Sequence, residues 1–362
     1  MRKKYESDNY KNDIERYQKC TSLKPAAQIK KEMKVLEKHW DCLPYQYYRF
    51  DMYRSDCTLS LDEMKEYIPH FFQMNLFFPL SYKDYGILCE DKQLTYAMLK
   101  AYGIRQPTML LGIDNGKVYG AANQPLSPEE TDAVLSGSSA QKIFLKPRFG
   151  LGGRGIMVFS KREHNTFADE KNEVLNYSFL AEQLKGDAYI AQEGMVQHPD
   201  LSKIYAHSVN TFRVMTECVN GQAKVIYALF RMGSGGQQID NASSGGMYLK
   251  VDVETGRLAD FAYNTNRDTF YAHPDSGFVF KGEIVEKWAE TKAFALEVTK
   301  KFREIKYMGW DIAFSTDGPT VIELNNAPGL NIIQDCYGGL AGDLNIKPKD
   351  WWYKKNYTLK NL

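Results

Sequence analysis

The segment Gly150-Leu-Gly-Gly-Arg-Gly155 most narrows what this chain can fold into. It matches G-x-G-x-x-G, but such a run binds a dinucleotide only when a helix follows, so that the pyrophosphate meets the helix N-terminus. Here Ile156-Met-Val-Phe159 follows, which reads as a strand. No Lys-Ser or Lys-Thr closes the run, so it is not a Walker A loop. Two readings remain. One is a plain glycine turn. The other is a strand–loop–strand flap whose glycines, Gly152 and Gly153 among them, let backbone N–H groups approach phosphate oxygens. Protein kinases place their lysine after such a flap, whereas Lys146 precedes this one, and no H-R-D or D-F-G occurs. Lys146 alternates with Ile143 and Leu145 and so faces away from them, the placement a triphosphate's charge requires. Lys92, opening a helix read over 91–101, is either a second phosphate ligand or a surface lysine.

The rest of the pattern is α+β rather than a doubly wound parallel sheet. Residues 1–40 are basic and helical in pattern, with Ile29, Met33, Leu36 and Trp40 at helical spacing. That stripe either rests on an anionic membrane surface, as a peripheral contact, or packs on its own protein. Residues 44–85 are rich in Tyr and Phe, which suits either a binding surface or core packing. Ser127, Pro128 and Glu130 form a capping box that opens a helix ending near Gly137. Strands follow at 142–147, 156–160, 188–193, 211–219, 223–231 and 246–253, with Asn220-Gly221 as a hairpin turn. A long helix is expected over 283–306, and strands at 309–315 and 320–325 close the pattern.

That last hairpin carries a metal-site pattern. Trp310, Ile312 and Phe314 share one face and Asp311 takes the other; Ile322 and Leu324 oppose Glu323 and Asn325 in the same way. A hairpin centred on Asp317 sets Asp311 opposite Glu323, so three oxygen ligands converge. An oxygen-only set of this size suits Mg²⁺. The competing reading is a solvated polar face. Arg213 and Arg231, on the strands joined by Asn220-Gly221, offer cations for a transferred phosphoryl group, or are surface ion-pair partners.

These pieces stand in the order of the ATP-grasp superfamily, which the chain resembles over about residues 86–335. The motifs are Asp91-Lys92, Leu145-Lys146-Pro147 with its glycine loop, Tyr189-Ile-Ala-Gln-Glu193, Asp311 and Glu323-Leu-Asn325. A closer resemblance is to the sugar-transfer associated, α-L-glutamate ligase-related branch. It rests on Ser208-Val-Asn-Thr-Phe-Arg213, Asp240-Asn241 with Gly245-Gly246, His273-Pro-Asp-Ser-Gly277 and Gly309-Trp-Asp311. The resemblance implies an ATP-grasp fold, two α+β lobes clasping ATP, with an extra helical and aromatic N-terminal region. The expected division is 1–85, lobes at 86–190 and 191–345, and a tail at 346–362. It further implies that Lys92 and Lys146 contact phosphates and that Gln192, Glu193 and Met195 line the adenine. Asp311, Glu323 and Asn325 would hold magnesium, two ions in all, and Arg231 and Asn241 would lie near the transferred phosphate and the acceptor. Val196-Gln197-His198-Pro199 stands where related ligases carry a ribose-binding acid, so no ribose contact is assigned.

The implied activity is ATP-dependent carboxylate–amine ligation through an acyl phosphate. Its substrates would be small molecules derived from sugars or amino acids, in polysaccharide biosynthesis. A phosphotransferase and a non-catalytic ATP-binding partner of glycosyltransferases are the alternatives. The net charge of +1 gives no field for nucleic acid. No apolar run approaches the ~20 residues that span a bilayer, and no apolar segment follows Arg2–Lys4, which points to the cytoplasm. The six cysteines show no C-x-x-C and fit free thiols. Residues 255–282 are too long for a hairpin loop, and either fold over the acceptor side with His273 near the substrate or form a packed surface excursion.

Overall fold

The computed structural model describes residues 10–150, 153–237, 240 and 245–351. Two N-terminal helices, α1 (Lys11–Lys19) and α2 (Ala26–Trp40), open the chain. The α2 stripe Ile29, Leu36 and Trp40 is buried in the chain's own core, while Lys30, Lys31, Lys34 and Lys38 are exposed. The stripe is therefore spent on self-packing. Glu32 is buried beside it, where Lys24 Nζ (3.1 Å), Gln28 Nε2 (2.8 Å) and the Tyr47 hydroxyl satisfy it. Short helical turns then carry Phe72, Phe77 and Phe78 into full burial, as core rather than as a binding surface.

Helix α3 (Lys92–Ala101) is capped by the Asp91 carboxylate, which accepts from the Gln93 and Leu94 N–H groups. A six-stranded antiparallel sheet follows. Its strands are β1 (Met109–Asp114), β2 (Lys117–Gly120), β3 (Lys142–Pro147), β4 (Met157–Lys161), β5 (Phe167–Ala168) and β6 (Ala188–Glu193), in the order β2-β1-β6-β3-β4-β5. Helices α4 (Pro128–Ser136) and α5 (Tyr177–Gln183) cover one face through Leu135 and Leu180, against Leu111, Ile143, Leu145 and Ala191. The capping box at Ser127 is present. The β1–β2 hairpin lies in a stretch not expected to hold strands. Its turn, Asn115-Gly116, has both residues at positive φ (51° and 75°), as a two-residue hairpin requires.

The second sheet has seven strands in the order β11-β10-β9-β8-β7-β12-β13. They are β7 (Thr211–Val219), β8 (Gln222–Met232), β9 (Met247–Lys250), β10 (Ala262–Tyr263), β11 (Thr269–Phe270), β12 (Tyr307–Ser315) and β13 (Gly318–Asn325). The Asn220-Gly221 turn falls where expected. Helix α6 (Trp288–Lys301) packs Trp288, Ala295 and Val298 on one face, against Phe212, Phe230 and Trp310. It begins later than the expected 283 because Lys287 adopts φ 71°, which breaks the helical path. The opposite face is divided. At one end Met215, Tyr227, Leu229 and Tyr248 meet the aromatic N-terminal segment and helix α7 (Leu330–Tyr337). At the other end the same face carries Arg213, Arg231, Asp311 and Glu323, each opposite a neighbour in register.

Candidate active site

The polar end of the second sheet faces the bare side of the first across a cleft of about 1340 Å³, part of it open to solvent. From the first sheet come Phe144 and Lys146 on β3, paired in register with Gln192 and Ile190 on β6; alternation turns all four away from the α4–α5 core. Lys92 enters from the start of α3, and Gly150, Gly153 and Arg154 from the glycine-rich loop. Glu193, Gly194 and Met195 line the end where the chain leaves β6. From the second sheet come Thr211, Arg231, Asp311, Ile322 and Glu323, with Asp240 from the β8–β9 connection.

The hairpin sets Asp311 opposite Glu323 by a route different from simple alternation. The turn is only Thr316-Asp317, with Ser315 opposite Gly318, so strand β13 includes Gly318 and Pro319. A regular ladder from that turn would bring Ile322 opposite Asp311. A bulge at Ile322 inserts one extra residue, and Glu323 takes the place. The core side chains of β13 are therefore Val321 and Leu324, three apart, and Ile322 lines the cleft instead of sharing the Leu324 face. Gly309 is required one turn of the ladder away, because a Cβ there would collide with Pro328 of the segment that folds back over β12.

Asp311 is buried and gripped from both sides. Arg213 Nε and Nη2 donate to its two oxygens, the latter at 2.7 Å, and Arg231 Nη1 donates at 2.7 Å. Burial alone would raise its pKa, but the two guanidinium groups outweigh that and hold it below the ordinary carboxylate value. Arg231 is also 3.5 Å from Asp240, which accepts from the Thr211 hydroxyl as well. Arg213 additionally donates to the Pro328 carbonyl (3.2 Å) and is not in the cleft wall. Burial and the neighbouring Lys92 charge bring Lys146 down to about 8, although Glu323 and Asp240 oppose the shift. Lys92 is likewise lowered by burial against the pull of Glu323 and Asp91, and its Nζ donates to the Gly150 carbonyl at 2.8 Å.

Other contacts explain what the sequence left open. Asp91 is clamped by Arg148 through bonds of 2.8 and 2.6 Å, tying the start of α3 to the end of β3 and fixing Lys92 beside Lys146. The Glu193 carboxylate accepts from Ser138 Oγ at 2.5 Å. Gln197, in the stretch where related ligases carry a ribose-binding acid, is consumed by structure: it donates to Ser202 Oγ and the Tyr205 carbonyl and accepts from the Asn210 N–H. Gly152 and Asn241 lie outside the described residues. His273 does not reach the cleft. It is 1% exposed, stacks on Tyr205 at 4.7 Å, accepts at Nδ1 from the Asp275 N–H and donates from Nε2 to the Gly233 carbonyl (2.9 Å). The packed-excursion reading of 255–282 is the correct one for this histidine.

The chemistry of the donor set fits magnesium. Asp311 accepts three hydrogen bonds, which leaves about one of its four lone-pair sites free, on Oδ1. Glu323 accepts no hydrogen bond from a described residue; the unpartnered buried atom of Asn325 is Nδ2, an N–H donor and not a magnesium ligand. Asn325 stands opposite Gly309, on the Glu323 strand but outside the cleft wall.

The family model of sugar-transfer associated ATP-grasp proteins matches residues 77–345. The chain belongs to that family. Its two antiparallel sheets flanking one cleft are the ATP-grasp fold. Similar solved structures include an ATP-grasp ligase, PsnB, complexed with minimal precursor, Mg and ADP, at 16% identity over 74% of this chain and 62% of that one, TM-score 0.38. N5-carboxyaminoimidazole synthetase from Staphylococcus aureus complexed with ADP matches at 12% identity over 67% and 46%, TM-score 0.39. An L-amino acid ligase from Bacillus licheniformis matches at 13% identity over 68% and 42%, TM-score 0.36. This ATP-grasp chain thus spans less than two thirds of the length of each. No curated protein matches it. Among the described residues no helix is long and apolar enough to cross a membrane.

Proposed function

We propose that this protein is an ATP-dependent carboxylate–amine ligase whose two lobes, 86–190 and 191–345, close on ATP. The observation that carries the reading is one cleft in which Lys92 and Lys146 from the first lobe face Glu323 and Asp311 from the second. Cations on one wall and free carboxylate oxygen on the other suit a metal-bound triphosphate. Lys146 and Lys92 bind phosphate oxygens, and the backbone around Gly153 approaches them. Gln192 to Met195 line the adenine. Glu323 and the free lone pair of Asp311 would hold magnesium, and Asn325 would join them only by turning its amide oxygen toward the cleft; the ion, when bound, neutralises charge on the transferring phosphate. Arg213 and Arg231 fix the Asp311 carboxylate in place, and Arg231, which lines the cleft, also faces the acceptor. The substrate carboxylate attacks the γ-phosphorus, ADP leaves, and an amine then displaces phosphate from the acyl phosphate. The chain's part is positioning and electrostatics. The sugar-transfer association of the family supports a sugar- or amino-acid-derived acceptor in a cytoplasmic step of polysaccharide assembly.

The test is a screen of sugar acids and amino acids against amines, reading phosphate release from Mg-ATP. Release should require both partners and fall at least about 100-fold in Glu323→Ala. ADP formed on a hydroxyl acceptor with no free phosphate would replace ligation by phosphotransfer, and full activity in a folded Glu323→Ala would remove the metal assignment.

A further inference from the structure

The cations of the cleft walls are largely committed before any substrate arrives. Arg213 and Arg231 share Asp311, and Arg231 also faces Asp240. Lys92 is bonded to a backbone carbonyl, and burial disfavours the charge on Lys146. Arg154 is different. It lines the same cleft from the glycine-rich loop, is exposed, and makes no ion pair or hydrogen bond with any described residue. It stands between Gly153 (φ 70°) and Gly155 (φ 74°), both in the left-handed region. A Cβ at Gly155 would press on Pro147 at 3.0 Å and Tyr189 Oη at 3.3 Å, so the chain beside Arg154 lies close on the end of β3, directly beyond Lys146. A planar guanidinium with five N–H donors matches the equatorial oxygens of a transferring phosphoryl group better than a lysine point charge does.

We propose that Arg154 is a catalytic residue of the first half-reaction, contacting the γ-phosphoryl group as it passes from ADP to the acceptor carboxylate. The proposal rests on the ligase reading above. In that step a carboxylate oxygen forms a bond to the γ-phosphorus, the bond from the γ-phosphorus to the bridging oxygen breaks, and its electron pair leaves on ADP. Arg154 keeps its proton and donates N–H bonds to oxygens whose charge is greatest in transit.

The experiment uses the full chain with MgADP, alone and with tetrafluoroaluminate as a planar mimic of the phosphoryl group, read by calorimetry. Wild-type protein should bind MgADP, and tetrafluoroaluminate should tighten that binding. Arg154→Ala should bind MgADP as the wild type does but lose about 100-fold of the added tightening, with Arg154→Lys recovering part of it. Unchanged melting of both variants separates this from a structural defect. Equal tightening in Arg154→Ala and wild type overturns the proposal, as does a wild type that binds MgADP and gains nothing from tetrafluoroaluminate. A wild type that fails to bind MgADP at all overturns the ligase reading itself.

Discussion

Two aspartates, Asp311 on the second sheet and Asp335 on helix α7 packed over the same face, are each gripped by two arginines, and they differ in what covers them. Asp311 has Arg213 and Arg231 and borders the cleft. Asp335 has Arg49 and Arg267, the latter at 3.0 Å, plus the Tyr248 hydroxyl at 2.7 Å, and its side chain is wholly covered. The two clusters adjoin, since Tyr248 stands opposite Arg231 in the ladder. The same ion-pair arrangement therefore holds a carboxylate ready beside a ligand space in one place and ties the N-terminal region to the sheet in the other. Arg49 further donates to Thr265, and Arg267 to Asp51, so the sealed cluster links four distant stretches of chain.

Removing one partner of a sealed cluster leaves buried charge uncompensated. Asp335→Ala should therefore cost about 3–5 kcal/mol of stability, read by denaturant unfolding, with MgADP affinity unchanged while the protein is folded. Asp311→Ala should cost less stability, because Arg231 borders the cleft and keeps Asp240 as a partner, yet it alone should weaken MgADP binding. Equal stability losses, or a binding defect in Asp335→Ala, would break the distinction between the two sites.

A smaller effect sharpens the electrostatics of the open side. Lys146→Ala should weaken MgADP binding by about 1.5–3 kcal/mol below pH 8. Its folded pKa, about 8, lies below the ordinary lysine value, because burial and Lys92 disfavour the charge more than Glu323 and Asp240 favour it. The sign follows. Nucleotide phosphate needs the charged form, so wild-type affinity should fall as pH rises through about 8, and Lys146→Ala should show a flatter profile. The opposite linkage governs stability: the folded lysine charges less readily than the unfolded one, so wild-type stability should rise between pH 8 and the ordinary lysine range. A wild-type affinity flat from pH 7 to 9 would remove Lys146 from the phosphate contacts.

The smallest effect belongs to His273. Its two ring nitrogens are satisfied by backbone and its ring stacks on Tyr205. His273→Ala should cost about 1–3 kcal/mol of stability and leave MgADP affinity and acceptor KM unchanged. A raised acceptor KM would return this histidine to the site.

Much of the cleft was legible because alternation along a strand is a strong constraint. It placed Lys146 away from Ile143 and Leu145 and set Asp311 apart from Trp310 and Phe314. What escaped was whatever alternation does not encode. The Ile322 bulge leaves no composition signal, so the core partner of Leu324 was misread, although the Asp311–Glu323 pairing came out the same. The Asp91–Arg148 clamp joins residues 57 apart through side chains alone. The β1–β2 hairpin did leave a signal, Asn115-Gly116, the same dipeptide type that located the β7–β8 turn. His273 had none, because a buried, satisfied histidine and a substrate-facing one look alike in sequence.

The sealed cluster also sets a timetable. Arg49 is 286 residues from Asp335 along the chain. At roughly 5–20 residues per second of synthesis, the guanidinium emerges on the order of fifteen seconds to a minute before its carboxylate exists. During that interval the aromatic N-terminal segment has neither its counter-ion nor the sheet face that will cover it. The residues around Arg49 are thus made well before their native contacts exist, and a nascent chain halted before residue 335 carries Phe72, Phe77 and Phe78 without their final cover.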